Sequence, residues 1–219
     1  MIRIKNLFLR YVRQYYALYD ISLNIDNGEK VAFIGERESG KTSLIRTLIK
    51  LEKAQKGEIY IRNIPIKKVN FAEDVSVGYL PASPIFFENK TVRENLLYVE
   101  KMHFSRRAEM ENAINDVLKE FDIEALQDNI VSDLSLYQKY IVSLARLALR
   151  KIDILIVDDV LDVLKDEQRE SVISILKSKF LGDETIFILS TADENLAGRL
   201  CERFVFFENG SIVKESSKN

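Results

Sequence analysis

The chain has 219 residues, 47% of them hydrophobic, which suffices for a large buried core in one domain or in a domain with a subdomain. A formal charge of −2 gives no electrostatic reason to expect nucleic acid as a partner, and no apolar run approaches the ~20 residues of a membrane-spanning helix. Cys201 and His103 are each the single residue of their kind, which excludes an internal disulfide and a His/Cys metal cluster and suits a reducing compartment.

From the N-terminus, Ile2 to Ile25 alternate in the manner of strands, and Arg10 and Arg13 make the first part of that stretch a poor signal peptide. Asp26-Asn27-Gly28-Glu29 supplies a turn, and Lys30–Ile34 reads as a buried strand. Next comes Gly35-Glu36-Arg37-Glu38-Ser39-Gly40-Lys41-Thr42, followed by the helical-looking Ser43–Leu48. Strand, Gly-bounded loop and helix are the order that a phosphate-binding P-loop requires. Such a loop turns backbone N–H groups inward, and the helix N-terminus behind it adds partial positive charge. Lys41 is expected to reach the β- and γ-phosphates, and the Thr42 hydroxyl to take a position on Mg²⁺. Gly35, Glu36, Ser39, Gly40 and Ser43 complete the candidate phosphate cradle.

Further along, Gly57–Arg62 reads as an exposed-edge strand, and Val75–Leu80 as a strand running into the loop Pro81-Ala82-Ser83-Pro84. Between Thr91 and Leu126 the apolar residues Leu96, Leu97, Ile114, Val117, Leu118 and Phe121 recur at helical spacing. Residues 84–135 are therefore expected to form a helical subdomain inserted into a single domain spanning 1–219. His103 falls in a polar, basic stretch and is expected at the surface. The apolar runs Ile152–Val157, Thr185–Leu189 and Arg203–Phe207, separated by helical patterns, predict an α/β fold with a mostly parallel core sheet. The first run ends in Asp158-Asp159. Beside a P-loop, the first of these acids can hold Mg²⁺ and the second can polarise an attacking water; capping of the following helix is the alternative use of an Asp here.

Leu134-Ser135-Leu136-Tyr137-Gln138-Lys139 precedes Ala145-Arg146 and the carboxylate strand. Here the chain resembles the nucleotide-binding subunits of ABC transporters, whose signature reads LSGGQ, and the order of segments matches along nearly the whole length. The resemblance implies a P-loop NTPase of ABC-ATPase type, with an N-terminal antiparallel β subdomain and ATP and Mg²⁺ as cofactors. It implies Tyr11 as the aromatic residue on adenine, with Tyr15 and Tyr16 as alternatives, and Ser135 as a nucleotide contact. Thr42 and Asp158 would be the metal residues and Asp159 the general base. It further implies a separate transmembrane subunit, pairing with a second nucleotide-binding subunit of the same or another kind, and a cytoplasmic position on the inner membrane face. Ile85-Phe86-Phe87 would either receive the membrane partner or tuck into the helical subdomain.

Several positions depart from the family pattern. Glu38 stands at a usual glycine, Ala82 at the glutamine before the helical subdomain, and Ala192 at the switch histidine. Asp159 is one methylene shorter than the usual glutamate, and Leu136 and Tyr137 replace the signature glycines. Asp162-Val163-Leu164-Lys165 replaces the family's Ser-Ala-Leu-Asp turn. The reading is an ATP-binding subunit with slow or impaired hydrolysis, the alternative being a pseudo-ATPase scaffold.

Overall fold

The alternation at the N-terminus becomes two long strands. In the computed structural model, which describes residues 1–12, 15–100 and 107–218, β1 (Ile2–Val12) and β2 (Tyr15–Ile25) form an antiparallel pair. Ile2, Ile4, Leu7 and Leu9 of β1 and Ile21, Leu23 and Ile25 of β2 are buried. The period of two slips between Ile4 and Leu7, where the register shifts and Asn6 has φ 44°. Asp20 on the facing strand has φ 52°, and the Asn6 amide donates to its carboxylate at 2.9 Å. Asn and Asp tolerate left-handed backbone because their short side chains bond locally, so the irregularity settles on them.

β3 (Lys30–Ile34) leads into α1 (Lys41–Leu48). β4 (Lys56–Ile61) pairs with β1 on one side and with the two-residue β5 (Ile64–Pro65) on the other, giving an antiparallel sheet of order β2-β1-β4-β5. The expected edge position of residues 57–62 is thus corrected: Arg62 and Asn63, at φ 50° and 63°, turn the chain back onto β4. Two successive positive φ angles match the right-handed twist of the strands they join.

The second sheet holds β6 (Val77–Pro81), β7 (Ile154–Asp158), β8 (Ile186–Thr191), β9 (Arg203–Glu208) and β10 (Ser211–Ser217), in the order β10-β9-β3-β8-β7-β6. All neighbours are parallel except the hairpin β9–β10, which turns at Asn209-Gly210. Every residue of β7 and β8 is buried, as parallel strands covered on both faces must be. Both sheets and Leu44, Ile45 and Leu48 of α1 contribute to one apolar cluster. Burying such a side chain stabilises by roughly 1.5–3 kcal/mol. Tertiary packing therefore holds this eight-residue helix, which is too short to be stable alone.

Backbone contacts divide the chain into two compact units: Met1–Ala82 with Ile152–Val163 and Ile173–Asn219, and Ser83–Lys151 with Leu164–Val172. The second holds α2 (Val92–Glu100), α3 (Arg107–Glu120), α4 (Leu136–Ala148) and most of α5 (Asp166–Ile175). Leu96 of α2 and Ile114, Val117 and Leu118 of α3 are buried, while Arg93 bonds Glu111, Asn115 and Gln127 at 2.6, 2.9 and 3.1 Å. The surface expectation for His103 lies outside the described residues. Among the described residues, no helix is long and apolar enough to cross a membrane. Cys201 is buried with its thiol free, and burial pushes its pKa up.

Candidate functional site

The loop between β3 and α1 is shaped by two residues with left-handed backbone. Gly40, at φ 109°, is the N-cap of α1; a Cβ there would meet Ala17 O at 2.8 Å. Glu38, at φ 64° and exposed, adopts the same region with a side chain, in the place where glycine is expected. A non-glycine residue held so costs of order 1 kcal/mol or more. The N–H groups of Lys41, Thr42 and Ser43 are the first of α1 and have no intrahelical acceptor. Lys41, only 4% exposed, folds over the loop and donates to Gly35 O at 2.6 Å and Glu36 O at 3.0 Å.

The loop residues fit a phosphate group on two observations. The Ser39 Oγ is buried with no hydrogen-bond partner, an orphaned donor inside the loop. At Gly35 there is no room for a side chain: a Cβ would lie 2.4 Å from Phe207 O and 2.7 Å from Ser39 Oγ.

β7 delivers Asp158 beneath this loop. Thr42 Oγ1 donates to Asp158 Oδ1 at 3.1 Å, and the Tyr79 hydroxyl donates to Asp158 Oδ2 at 3.1 Å. Burial, and secondarily the neighbouring Asp159, raises the Asp158 pKa from its ordinary value, while hydroxyl donors oppose the rise. Burial and the Asp158 charge push Tyr79 up as well, so it remains a donor. Among the described residues the hydrogen-bond partners of Asp158 are hydroxyls, not cations. A buried carboxylate sharing a 3.1 Å contact with a threonine hydroxyl has the donor chemistry of a magnesium site.

Asp159 follows in left-handed backbone at φ 53°. Its Oδ1 accepts from Ser190 Oγ at 2.6 Å, and its N–H donates to Ser190 O at 3.1 Å. The pairing follows from the sheet, where Asp158 lies opposite Ser190 across β7 and β8.

Tyr11, the expected adenine contact, stands 54% exposed with its hydroxyl donating to Ser43 Oγ at 3.2 Å, so an exposed aromatic ring adjoins α1. Ser135 lies in the other unit as the N-cap of α4. It forms a capping box: Gln138 N–H donates to Ser135 Oγ at 3.3 Å, and Ser135 N–H to Gln138 Oε1 at 2.9 Å. Leu136 is 45% exposed, and the Tyr137 hydroxyl donates to Ser171 Oγ at 2.8 Å. In the apolar triplet, Ile85 is exposed, Phe86 lies under the Arg146 guanidinium, and Phe87 packs on Tyr98 with ring centroids 4.7 Å apart.

Sequence reasoning missed Tyr79 as a partner of Asp158. Its signal was the alternation of β6, which puts Tyr79 and Pro81 on one face, but only the observed pairing of Pro81 with Asp158 brings that face to the site.

A loop between a parallel strand and a helix, over a strand ending in a carboxylate, defines a P-loop NTPase. The chain belongs to the ABC transporter family, whose model matches residues 18–162. It is 29% identical to the sulfate/thiosulfate import ATP-binding protein CysA of Vibrio cholerae, over 99% of this chain and 58% of that one. It is 27% identical to the methionine import ATP-binding protein MetN 1 of Bacillus thuringiensis, over 91% of this chain and 60% of that protein. The chain thus spans less than two thirds of the length of these relatives. A solved dimer of a bacterial ABC transporter cassette superposes with TM-score 0.87 at 25% identity, covering 100% of this chain and 99% of that one.

Proposed function

We propose that this chain is the nucleotide-binding domain of an ABC-type complex, which takes up Mg·ATP at residues 35–43 and gates or drives a separate transmembrane partner. The observation that carries the reading is the Thr42–Asp158 contact at 3.1 Å beneath a loop whose Ser39 hydroxyl is buried and unpartnered. Gly35, Glu36, Ser39, Gly40, Lys41, Thr42 and Ser43 would form the phosphate cradle. Tyr11 would offer its ring to adenine, and Thr42 and Asp158 would hold Mg²⁺. Lys41 would exchange its two carbonyl partners for phosphate oxygens. Ser135 would serve a nucleotide bound on a second subunit, its hydroxyl shared with the cap of α4. The helical unit would act as an insert within one functional domain, placed on the cytoplasmic face of a membrane through the partner.

When bound, Mg·ATP would supply the charge that draws two subunits together and the bond to be cleaved. This chain is poorly equipped for the cleavage. Asp159 would be the base, but it is short and one oxygen is engaged by Ser190 at 2.6 Å. Ala192 offers no side-chain hydrogen bond to a terminal phosphate. Missing groups of this kind each slow a reaction by about 10²–10³-fold, without simple additivity. Hydrolysis is therefore expected to be slow.

Calorimetric titration with Mg·ATP tests the reading. Micromolar binding that Lys41→Ala abolishes supports it. Absence of binding overturns it in favour of a scaffold subunit, in which Glu38 keeps phosphates away from the loop.

A further inference from the structure

The turn after the carboxylate strand and the end of β8 are joined by side chains. Thr191 Oγ1 donates to Asp162 Oδ1 at 2.5 Å, and the Ala192 N–H donates to Asp162 Oδ2 at 3.1 Å. The same Thr191 hydroxyl accepts the Asp193 N–H at 3.0 Å, and the Thr191 carbonyl accepts the Gly35 N–H at 3.3 Å. Thr191 is fully buried. It therefore links the entrance of the phosphate loop, the carboxylate turn and the cap of α6 (Glu194–Ala197), where Asp193 accepts from the Asn195 and Leu196 N–H groups. One step earlier, Ser190 bonds Asp159 in the same manner. The two turns are thus fastened at two successive positions, Ser190 to Asp159 and Thr191 to Asp162.

The Asp162 contacts are strong for their size. A carboxylate accepting from a hydroxyl at 2.5 Å falls in the charge-assisted range, roughly twice the strength of a neutral pair. Each of its oxygens serves a different residue of the segment, so the turn is held in position and in rotation. Nothing in the 192 side chain could do this, because alanine has no polar atom.

We propose that Asp162 is the positioning residue of the 190–193 segment, holding it in place through protein contacts alone. The carboxylate orders the segment before any nucleotide arrives. The nucleotide-dependent half of the proposal rests on the Mg·ATP reading above. The order of the segment in the free chain does not.

A ligand shifts a conformational equilibrium only by its differential affinity for the two states. A segment already held gains no order of its own from the ligand, so Mg·ATP should slow its amide exchange no more than it slows that of β3. The experiment is hydrogen exchange of a peptide covering 186–197, with a β3 peptide as control, on the full chain with and without Mg·ATP. Asp162→Ala should accelerate exchange in the 186–197 peptide by about tenfold or more while β3 stays protected, the amount expected when charge-assisted hydrogen bonds are lost locally. Asp162→Asn, which keeps one acceptor oxygen, should fall between it and the wild type. If the alanine variant loses protection everywhere, Thr191→Val removes the hydroxyl's bonds to Asp162 and to the Asp193 N–H, leaves the Ala192–Asp162 bond, and should accelerate the same peptide. The proposal is overturned if exchange in Asp162→Ala matches the wild type. It is equally overturned if Mg·ATP slows the wild-type peptide several-fold more than it slows the β3 peptide. Should the chain bind no nucleotide while Asp162→Ala still frees the segment, the Mg·ATP reading fails and the positioning role stands.

Discussion

Asp158 is 3% exposed and meets hydroxyls alone among its described hydrogen-bond partners, so the folded chain without metal holds a charge where water barely reaches. Its pKa is raised, first by burial and then by Asp159. The sign of the pH effect follows. Between the ordinary carboxylate pKa near ~4 and the raised one, the folded state binds more protons than the unfolded state, so stability falls as pH climbs through that window and is level above it. Asp158→Asn removes the charge and keeps an acceptor, and the Thr42 and Tyr79 hydroxyls can rotate to suit the amide. The variant should melt a few degrees above the wild type at pH 7.5 without Mg²⁺, with the gap closing toward pH 4. Melts at several pH values check this, and a gap independent of pH would show that charge burial is not its cause. Lys41 and Thr42 could be singled out as candidates because strand, loop and helix follow each other in the chain, and Asp158 because an apolar run ends on it 116 residues beyond Thr42. Tyr79 and Asp162 were not, because each reaches its partner across strands whose pairing the sequence does not state.

A helix start can preserve a motif for reasons unrelated to ligand. In Leu134-Ser135-Leu136-Tyr137-Gln138, the Ser and Gln cap α4 reciprocally, and the residues between them are free of that task. Tyr137 instead reaches Ser171, and Leu136 stays exposed. Ser135→Ala should therefore destabilise the chain by about 1 kcal/mol, the usual worth of such a cap. For a chain of this size that is roughly a 2–4 °C drop in Tm. Thermal denaturation reads it in the absence of nucleotide, where a residue used only for ligand contact would leave Tm unmoved. Elsewhere, β7 and β8 were readable as short apolar runs because both of their faces are covered. β5 was not, because two residues carry no periodicity. The slip at Asn6 also hid from pattern reading, since a bulge shifts the alternation without ending the strand.

At the scale of the whole molecule, the phosphate loop belongs to one compact unit and the 134–138 motif to the other, and the role proposed for Ser135 sets the motif of one subunit against the loop of a second. Such pairing needs the signature backbone close to the terminal phosphate, which glycine allows and larger residues obstruct. Leu136 carries its side chain outward at 45% exposure, and Tyr137 is anchored by its hydroxyl to Ser171. Two copies of this chain would each present that bulk, so Mg·ATP should leave the wild type monomeric at micromolar concentrations. The double variant Leu136→Gly/Tyr137→Gly retains the Ser135–Gln138 cap, costs about 1 kcal/mol per glycine in helix propensity, and also gives up the Tyr137–Ser171 hydrogen bond. It should self-associate when Mg·ATP is added, and Lys41→Ala should cancel the effect. Sedimentation velocity separates the cases. Dimerisation of the wild type with Mg·ATP would mean that the exposed leucine is accommodated and that two identical chains form the working pair. A double variant that stays monomeric despite binding nucleotide would remove bulk as the obstacle, and would point to a different nucleotide-binding subunit whose surface complements Leu136 and Tyr137.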